Sequence, residues 1–271
     1  MSASIVNARS FDPAESVVIL SEPRGGSTWL MELLAGVLDV AIAWEPLHAT
    51  KGVAPSEFGW GWRPSANPGE DSNPYREFFR SVHGYELHND WTRMKLTPRA
   101  ARTAKRVLVK YVRANELIDV LLQSVDFRSP PIVLLRHPVD TCLSQMRAFG
   151  DSGPSIHDRL REWCETNCPI IDRPGDDVLL VHYEDLVLRP VEELTRIVAA
   201  IGVSPVADIA ALDFARASAT DFDGDMRADP TRQLDKNLSA LSVDEQTAIQ
   251  AIFDEFGLTR YSAFAATPQR S

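Results

Sequence analysis

A short apolar run, a tight turn and an amphipathic helix recur along this chain, and that alternation restricts it to few architectures. Residues 17–20, Val-Val-Ile-Leu, end at Pro23-Arg24-Gly25-Gly26, after which Trp29, Leu30, Leu33, Leu34, Val37 and Leu38 follow at helical spacing. The pattern predicts a buried strand, a glycine turn and a helix. The unit returns as a strand over 106–112 with a helix over 115–124, a strand over 131–135 with a helix over about 139–148, and a strand over 178–181 with a helix over 190–200. Strands that alternate with helices build a parallel sheet covered on both faces. The predicted fold class is α/β, in three α/β/α layers, and such sheets bind ligands at the carboxyl ends of their strands. Two segments break the pattern. Residues 46–93 are rich in Gly, Pro and aromatics, and residues 213–240 are polar and irregular before a last helix at about 243–256.

A length of 271 residues suits one domain over 1–271, with the aromatic-rich stretch at about 46–93 as an insertion. No apolar run reaches the roughly 20 residues needed to span a bilayer. The N-terminus carries no basic segment leading into an apolar one, so the expected compartment is the cytoplasm. Cys142, Cys164 and Cys168 are too few and too unevenly spaced for a disulfide framework or a zinc site, and read as reduced thiols. The net charge of −10 excludes a basic field for nucleic acid, so any anionic ligand must be held by a local cluster of cations and amides. Asp221-Phe222-Asp223-Gly224-Asp225 is not a calcium loop: Gly falls at its fourth position, not the sixth, and Arg232 stands at the twelfth. No metal site is expected, and nothing in the sequence speaks to oligomeric state.

Two segments suit anions. In Pro23-Arg24-Gly25-Gly26-Ser27-Thr28-Trp29, the glycines permit a tight turn and close backbone approach to a ligand. The amides of Gly26, Ser27 and Thr28 open the following helix at the positive end of its dipole, with Arg24 and two hydroxyls beside them. A plain Ser/Thr helix cap with no ligand fits the same residues. In the second segment, Arg136 ends the strand over 131–135, and Ser144 lies about two turns along the next helix, so both can reach one phosphate. A solvated strand-end arginine and an ordinary helix serine are the alternative.

The first segment lacks the Lys of a Walker A loop. It resembles instead the 5′-phosphosulfate loop of sulfotransferases that use 3′-phosphoadenosine 5′-phosphosulfate (PAPS), roughly P-[KR]-[ST]-G-[ST]-[ST]-[WFL]-L. Gly25 departs from that pattern, removing a hydroxyl and keeping the backbone donors. Arg136-His137-Pro138-Val139-Asp140 through Ser144 resembles the family's 3′-phosphate motif, R-[DNH]-P-x-[DA]-x-x-x-S, in residue types and spacing. His182-Tyr183-Glu184-Asp185-Leu186, with Arg189-Pro190, resembles its [RH]-Y-E-D-L…P segment, whose role is largely structural. The resemblance covers most of 17–202 and is looser over 213–258. It implies a P-loop nucleoside triphosphate hydrolase-like fold and PAPS as co-substrate with no metal required. It also implies donor binding by Arg24, Gly25, Gly26, Ser27, Thr28, Trp29, Arg136 and Ser144. A late cation for the 3′-phosphate would be Arg227, Arg232 or Lys236.

The same resemblance implies in-line sulfuryl transfer with the leaving phosphate stabilised by Arg24, the loop amides and Lys110. Val112 stands where steroid- and phenol-type members carry a catalytic His, so the base lies elsewhere. Trp44-Glu45-Pro46-Leu47 resembles the Y-E-P-[LF] segment of carbohydrate sulfotransferases, which makes Glu45 the expected base and His48 its competitor. The expected acceptor is a carbohydrate or small metabolite presenting a hydroxyl or, less in keeping, an amine. Aromatics of 58–93 can wall its site or serve as core. A kinase on the same scaffold and a non-catalytic nucleotide binder are the competing assignments.

Overall fold

The β-branched and leucine-rich runs become strands because both faces of the sheet they form are covered. A computed structural model describes residues 10–66, 73–150, 153–216 and 234–269. Its elements in chain order are β1 (Val17–Ser21), α1 (Ser27–Val37), β2 (Val40–Trp44), α2 (Asn73–His83), α3 (Pro98–Thr103), β3 (Arg106–Val112), α4 (Ile118–Ser124), β4 (Ile132–Leu135), α5 (Pro138–Phe149), α6 (Ile156–Ile171), β5 (Leu179–His182), α7 (Tyr183–Leu188), α8 (Pro190–Ala200) and a C-terminal helix, Val243–Glu255. The five strands pair in parallel in the order β2-β3-β1-β4-β5. Alternate residues point to opposite faces. Val18, Leu20, Val109, Tyr111 and Val133 pack with α2, α4, α6 and the C-terminal helix. Val17, Ile19, Leu108, Ile132 and Leu134 pack with α1, α7 and α8. Each such buried Val, Leu or Ile contributes about 1.5–3 kcal/mol relative to exposure. The three-layer α/β/α expectation therefore holds, and the predicted strands and helices form within a residue or two of their expected bounds, except that the helix expected over 115–124 opens as a 3-10 turn, Asn115–Leu117, before α4.

Five elements, β2, α2, α3, α6 and α7, fall outside the sequence expectations. β2, Val-Ala-Ile-Ala-Trp, contains two alanines, which favour strands little, and exists because β3 pairs with it along its whole length. α6 carries Pro169 in its last turn, which masks a 16-residue helix opened by a Ser155–Asp158 capping box. α2 lies within the aromatic-rich stretch. Among the described residues no helix is long and apolar enough to cross a membrane.

Parallel pairing places all five carboxyl ends on one edge. The backbone is least regular there: Arg24 (φ 65°), Glu45 (φ 40°) and Arg113 (φ 65°) lie in the left-handed region just past β1, β2 and β3. A non-glycine residue in that region costs on the order of 1–3 kcal/mol, and such strain concentrates at functional sites.

Candidate active site

The β1–α1 turn is shaped by what lies beneath it. Gly26 caps α1 at φ 91°, and a Cβ there would sit 2.4 Å from the Tyr183 ring. A Cβ on Gly25 would meet Ser21 Oγ at 2.4 Å and the Glu22 carbonyl oxygen at 2.9 Å. Close approach thus requires both glycines, and the left-handed backbone of the turn requires Gly26. No side chain caps the first turn of α1, where Ser27 and Thr28 are buried. Trp29 packs edge-on against Tyr183, ring centroids 5.8 Å apart, and its Nε1 is buried without a hydrogen-bond partner among the described residues.

The second grip joins the first. Arg136, one residue past β4, donates from Nη1 to the Arg24 carbonyl at 3.1 Å, and its guanidinium lies 4.7 Å over the same Tyr183 ring. Arg24 donates from Nε to Ser144 Oγ at 3.1 Å. Arg24, Arg136 and Ser144 therefore form one network, in which the loop arginine, not Arg136, touches the serine. Tyr183 is the platform for both grips, a role that the structural assignment of its motif understated. Next to it, fully buried Glu184 accepts from the His137 amide at 2.7 Å and holds the start of α5. Burial raises the Glu184 carboxyl to about 7, against the lowering effect of that amide. Asn237, from the C-terminal segment, bonds Asp140 of α5 and accepts from Arg147 Nη1 at 3.1 Å. Lys236 is exposed beside it. Arg227, Arg232 and the Asp221–Asp225 run lie outside the described residues.

The third group stands at the ends of β2 and β3. Lys110, almost fully buried, places Nζ 2.7 Å from Glu45 Oε1, 3.3 Å from Thr28 Oγ1 and 3.7 Å from the Trp44 ring centroid. Desolvation lowers the Lys110 ammonium pKa and Glu45 opposes the shift. The Glu45 amide donates to the Lys110 carbonyl at 3.0 Å, carrying the β2–β3 ladder one residue past Trp44 and aiming the carboxylate at the lysine. His48 follows one turn later, its amide bonded to the Glu45 carbonyl, and its ring lies 4.9 Å from Trp91 and 5.5 Å from Trp62. Burial lowers the His48 pKa, with Glu45 opposing.

The aromatic stretch splits in two. Phe58, Trp60, Tyr75 and Phe78 pack on one another in the core. Trp62 and Trp91 flank His48 instead. Beside Trp62, Arg63 grips buried Glu22 with both Nη atoms, at 2.8 and 3.0 Å, and Glu162 through Nε at 2.8 Å. These partners raise the Arg63 pKa against burial, and the pair ties the loop to the residue after β1. Neither Glu22 nor Arg63 stood out in the sequence. Their partnership spans 41 positions and follows no local pattern.

The model of the sulfotransferase family matches residues 16–208, more than half of the chain. No curated protein sequence matches it. Among solved structures, the sulfotransferase domain of the Synechococcus PCC 7002 olefin synthase is similar, with 19% identity, coverage of 95% of this chain and 98% of that one, and a TM-score of 0.50. Mouse sulfotransferase SULT7A1, solved with PAP, is 16% identical over 90% of this chain and 85% of its own, with a TM-score of 0.51. The sulfotransferase domain of the curacin biosynthetic pathway is 16% identical over 89% and 96%, also at 0.51. At such identities the likeness establishes the fold, which is P-loop nucleoside triphosphate hydrolase-like. With the family model spanning both segments that suit anions and the Glu45–Lys110 pair, the chain belongs to the sulfotransferase family.

Proposed function

We propose that this protein transfers a sulfuryl group from PAPS to a hydroxyl of a carbohydrate or small-metabolite acceptor, with Glu45 as general base. PAPS supplies an activated sulfuryl group on a phosphate leaving group. The residues present suit such a ligand. The α1 amides, Arg24, Gly25, Gly26, Ser27 and Thr28 would hold its 5′ end, Arg136 and Ser144 its 3′-phosphate, and Trp29 the neighbouring surface. The uncapped helix start over a glycine pressed on Tyr183 is a cradle that any side chain would fill.

The observation that carries the proposal is the Glu45–Lys110 pair at 2.7 Å, reaching Thr28 of the phosphosulfate loop. One buried ammonium answers to two anions. An anion held at the loop draws Lys110 toward charge that develops on the leaving oxygen. Glu45 then loses its partner and becomes the stronger base, placed to accept an acceptor proton. His48, whose pKa burial lowers, lies along the acceptor side. The buried free thiols Cys142, Cys164 and Cys168 suit a reducing cytoplasm. The test is transfer of label from PAPS to a panel of sugars and hydroxylated metabolites in EDTA. Labelled product is expected for at least one acceptor class, and its absence across the panel with intact PAP binding would reduce the protein to a nucleotide binder.

A further inference from the structure

Arg113 has no role in the scheme above. It lies one residue past β3, in the left-handed region at φ 65°, with its amide bonded to the Ser21 carbonyl at 3.1 Å. That contact ties the strained residue to the β1 end. Its guanidinium carbon lies 4.8 Å from the Trp62 ring centroid and 5.5 Å from that of Phe149, within cation–π range of both. Among the described residues, its side chain has neither a hydrogen bond nor an ion pair. The carboxylates whose fields reach it are already engaged, Glu45 by Lys110, and Glu22 and Glu162 by Arg63. Burial accordingly outweighs them and lowers the Arg113 pKa.

An arginine fixed by backbone strain and two rings, with all its donors unspent, is arranged for a ligand. The rings that hold it are themselves open: Trp62 is 59% and Phe149 57% exposed. Trp62 also contacts His48, so the guanidinium opens onto the same wall as Glu45. A second cation, Lys51 Nζ, stands 4.6 Å over the Trp91 ring on that wall. Two cations and two exposed aromatic faces on a chain of net charge −10 mark a local anion preference. The planar fork matches a carboxylate with two parallel hydrogen bonds. A monoanion is also repelled less than a dianion by nearby Glu45.

We propose that Arg113 is the acceptor-recognition residue of this protein and that the acceptor it selects carries a carboxylate beside the hydroxyl that is modified. The inference rests on the proposed function only for the identity of that hydroxyl. The carboxylate site stands on Arg113, Trp62 and Phe149.

The experiment titrates matched pairs into the PAP-bound and PAP-free protein by calorimetry: glucuronate beside glucose, and 4-hydroxybenzoate beside its methyl ester. Wild type, Arg113→Gln and Arg113→Lys are compared. In wild type the acid of at least one pair binds about tenfold or more tightly than its neutral partner, the worth of one charge-assisted contact. The gap closes in Arg113→Gln, survives in part in Arg113→Lys and shrinks with added salt. PAP affinity is the same in all three proteins, which also reports that the variants are folded. Neutral partners binding as well as acids in wild type, or a gap that persists in Arg113→Gln, overturns the proposal. Failure of PAP to bind would instead remove the sulfotransferase mechanism, and the acid–neutral gap in the PAP-free protein would still decide the role of Arg113.

Discussion

The two halves of the carboxyl edge are built differently. At β1 and β4 the loops are short, and Arg24, Arg136 and Ser144 bond one another directly over a single platform, Tyr183. At β2 and β3 the walls come from far along the chain: Trp62 and Trp91 from the long stretch after β2, and Phe149 from the end of α5. The proposed donor side is compact, its two arginines and serine bonded to one another, whereas the proposed acceptor side keeps exposed rings and an arginine whose side chain has neither a hydrogen bond nor an ion pair among the described residues. A fixed donor needs one rigid cradle. An acceptor side assembled from loops can change its chemistry without disturbing that cradle.

Substitutions on the two sides should therefore fail in different ways. The largest effect is expected at the boundary between them. Glu45→Gln keeps size and shape but cannot take the acceptor proton, and should lower kcat by about 10²–10⁴ with little change in PAP affinity. Retention of wild-type single-turnover rates would move the base elsewhere, with His48 first in line. On the donor side, Arg136→Ala removes a charge-assisted contact and should weaken PAP by roughly 1.5–3 kcal/mol. Adenosine 5′-phosphosulfate, which lacks the 3′-phosphate, should bind almost unchanged, and equal losses for the two ligands would give Arg136 a structural role.

A third effect concerns pH. The buried Glu184 carboxyl is raised to about 7 in the folded chain from an ordinary 4.5, so the folded state binds the proton more tightly than the unfolded one. Stability from this group is fully present below about 4.5 and is lost as pH rises toward about 7. Glu184→Gln should flatten that part of the stability–pH curve, measured by denaturant unfolding at pH 5 and 7.5. An unchanged slope would mean Glu184 is already ionised at the lower pH. The smallest effect is expected at His48: His48→Ala should reduce kcat far less than Glu45→Gln does, and a loss of equal size would contradict the assignment of the base.

The same contrast governs how much could be read from the chain. The two segments proposed to hold the donor were legible because each is local, whereas the Arg24–Ser144 and Arg136–Arg24 bonds that join them span 120 and 112 positions. Strand, turn and helix start lie within a dozen residues, and the Arg136–Ser144 spacing is a helical one. Glu45 and Lys110 were legible as a likeness of motif, but their 2.7 Å contact depends on β2, whose alanines give little strand signal before β3 pairs with it. Arg113 and the Glu22–Arg63 tie left no local trace. Each depends on side chains that only the folded topology brings together, and an isolated arginine in sequence is ordinary. The aromatic stretch could not be divided between core and wall, because composition is the same for Trp60, which is half-buried against the core, and Trp62, which is exposed.

The central claim is that the cradle over Tyr183 is built for a 3′,5′-bisphosphorylated adenosine. The direct measurement is the melting temperature of the wild-type protein with PAP in EDTA, set against ATP with Mg²⁺ at equal concentration. Binding to the native state raises stability by RT ln(1 + [L]/Kd), so the ranking of shifts is the ranking of affinities. The account predicts the larger shift with PAP, without metal. A larger shift with ATP·Mg²⁺ would contradict it.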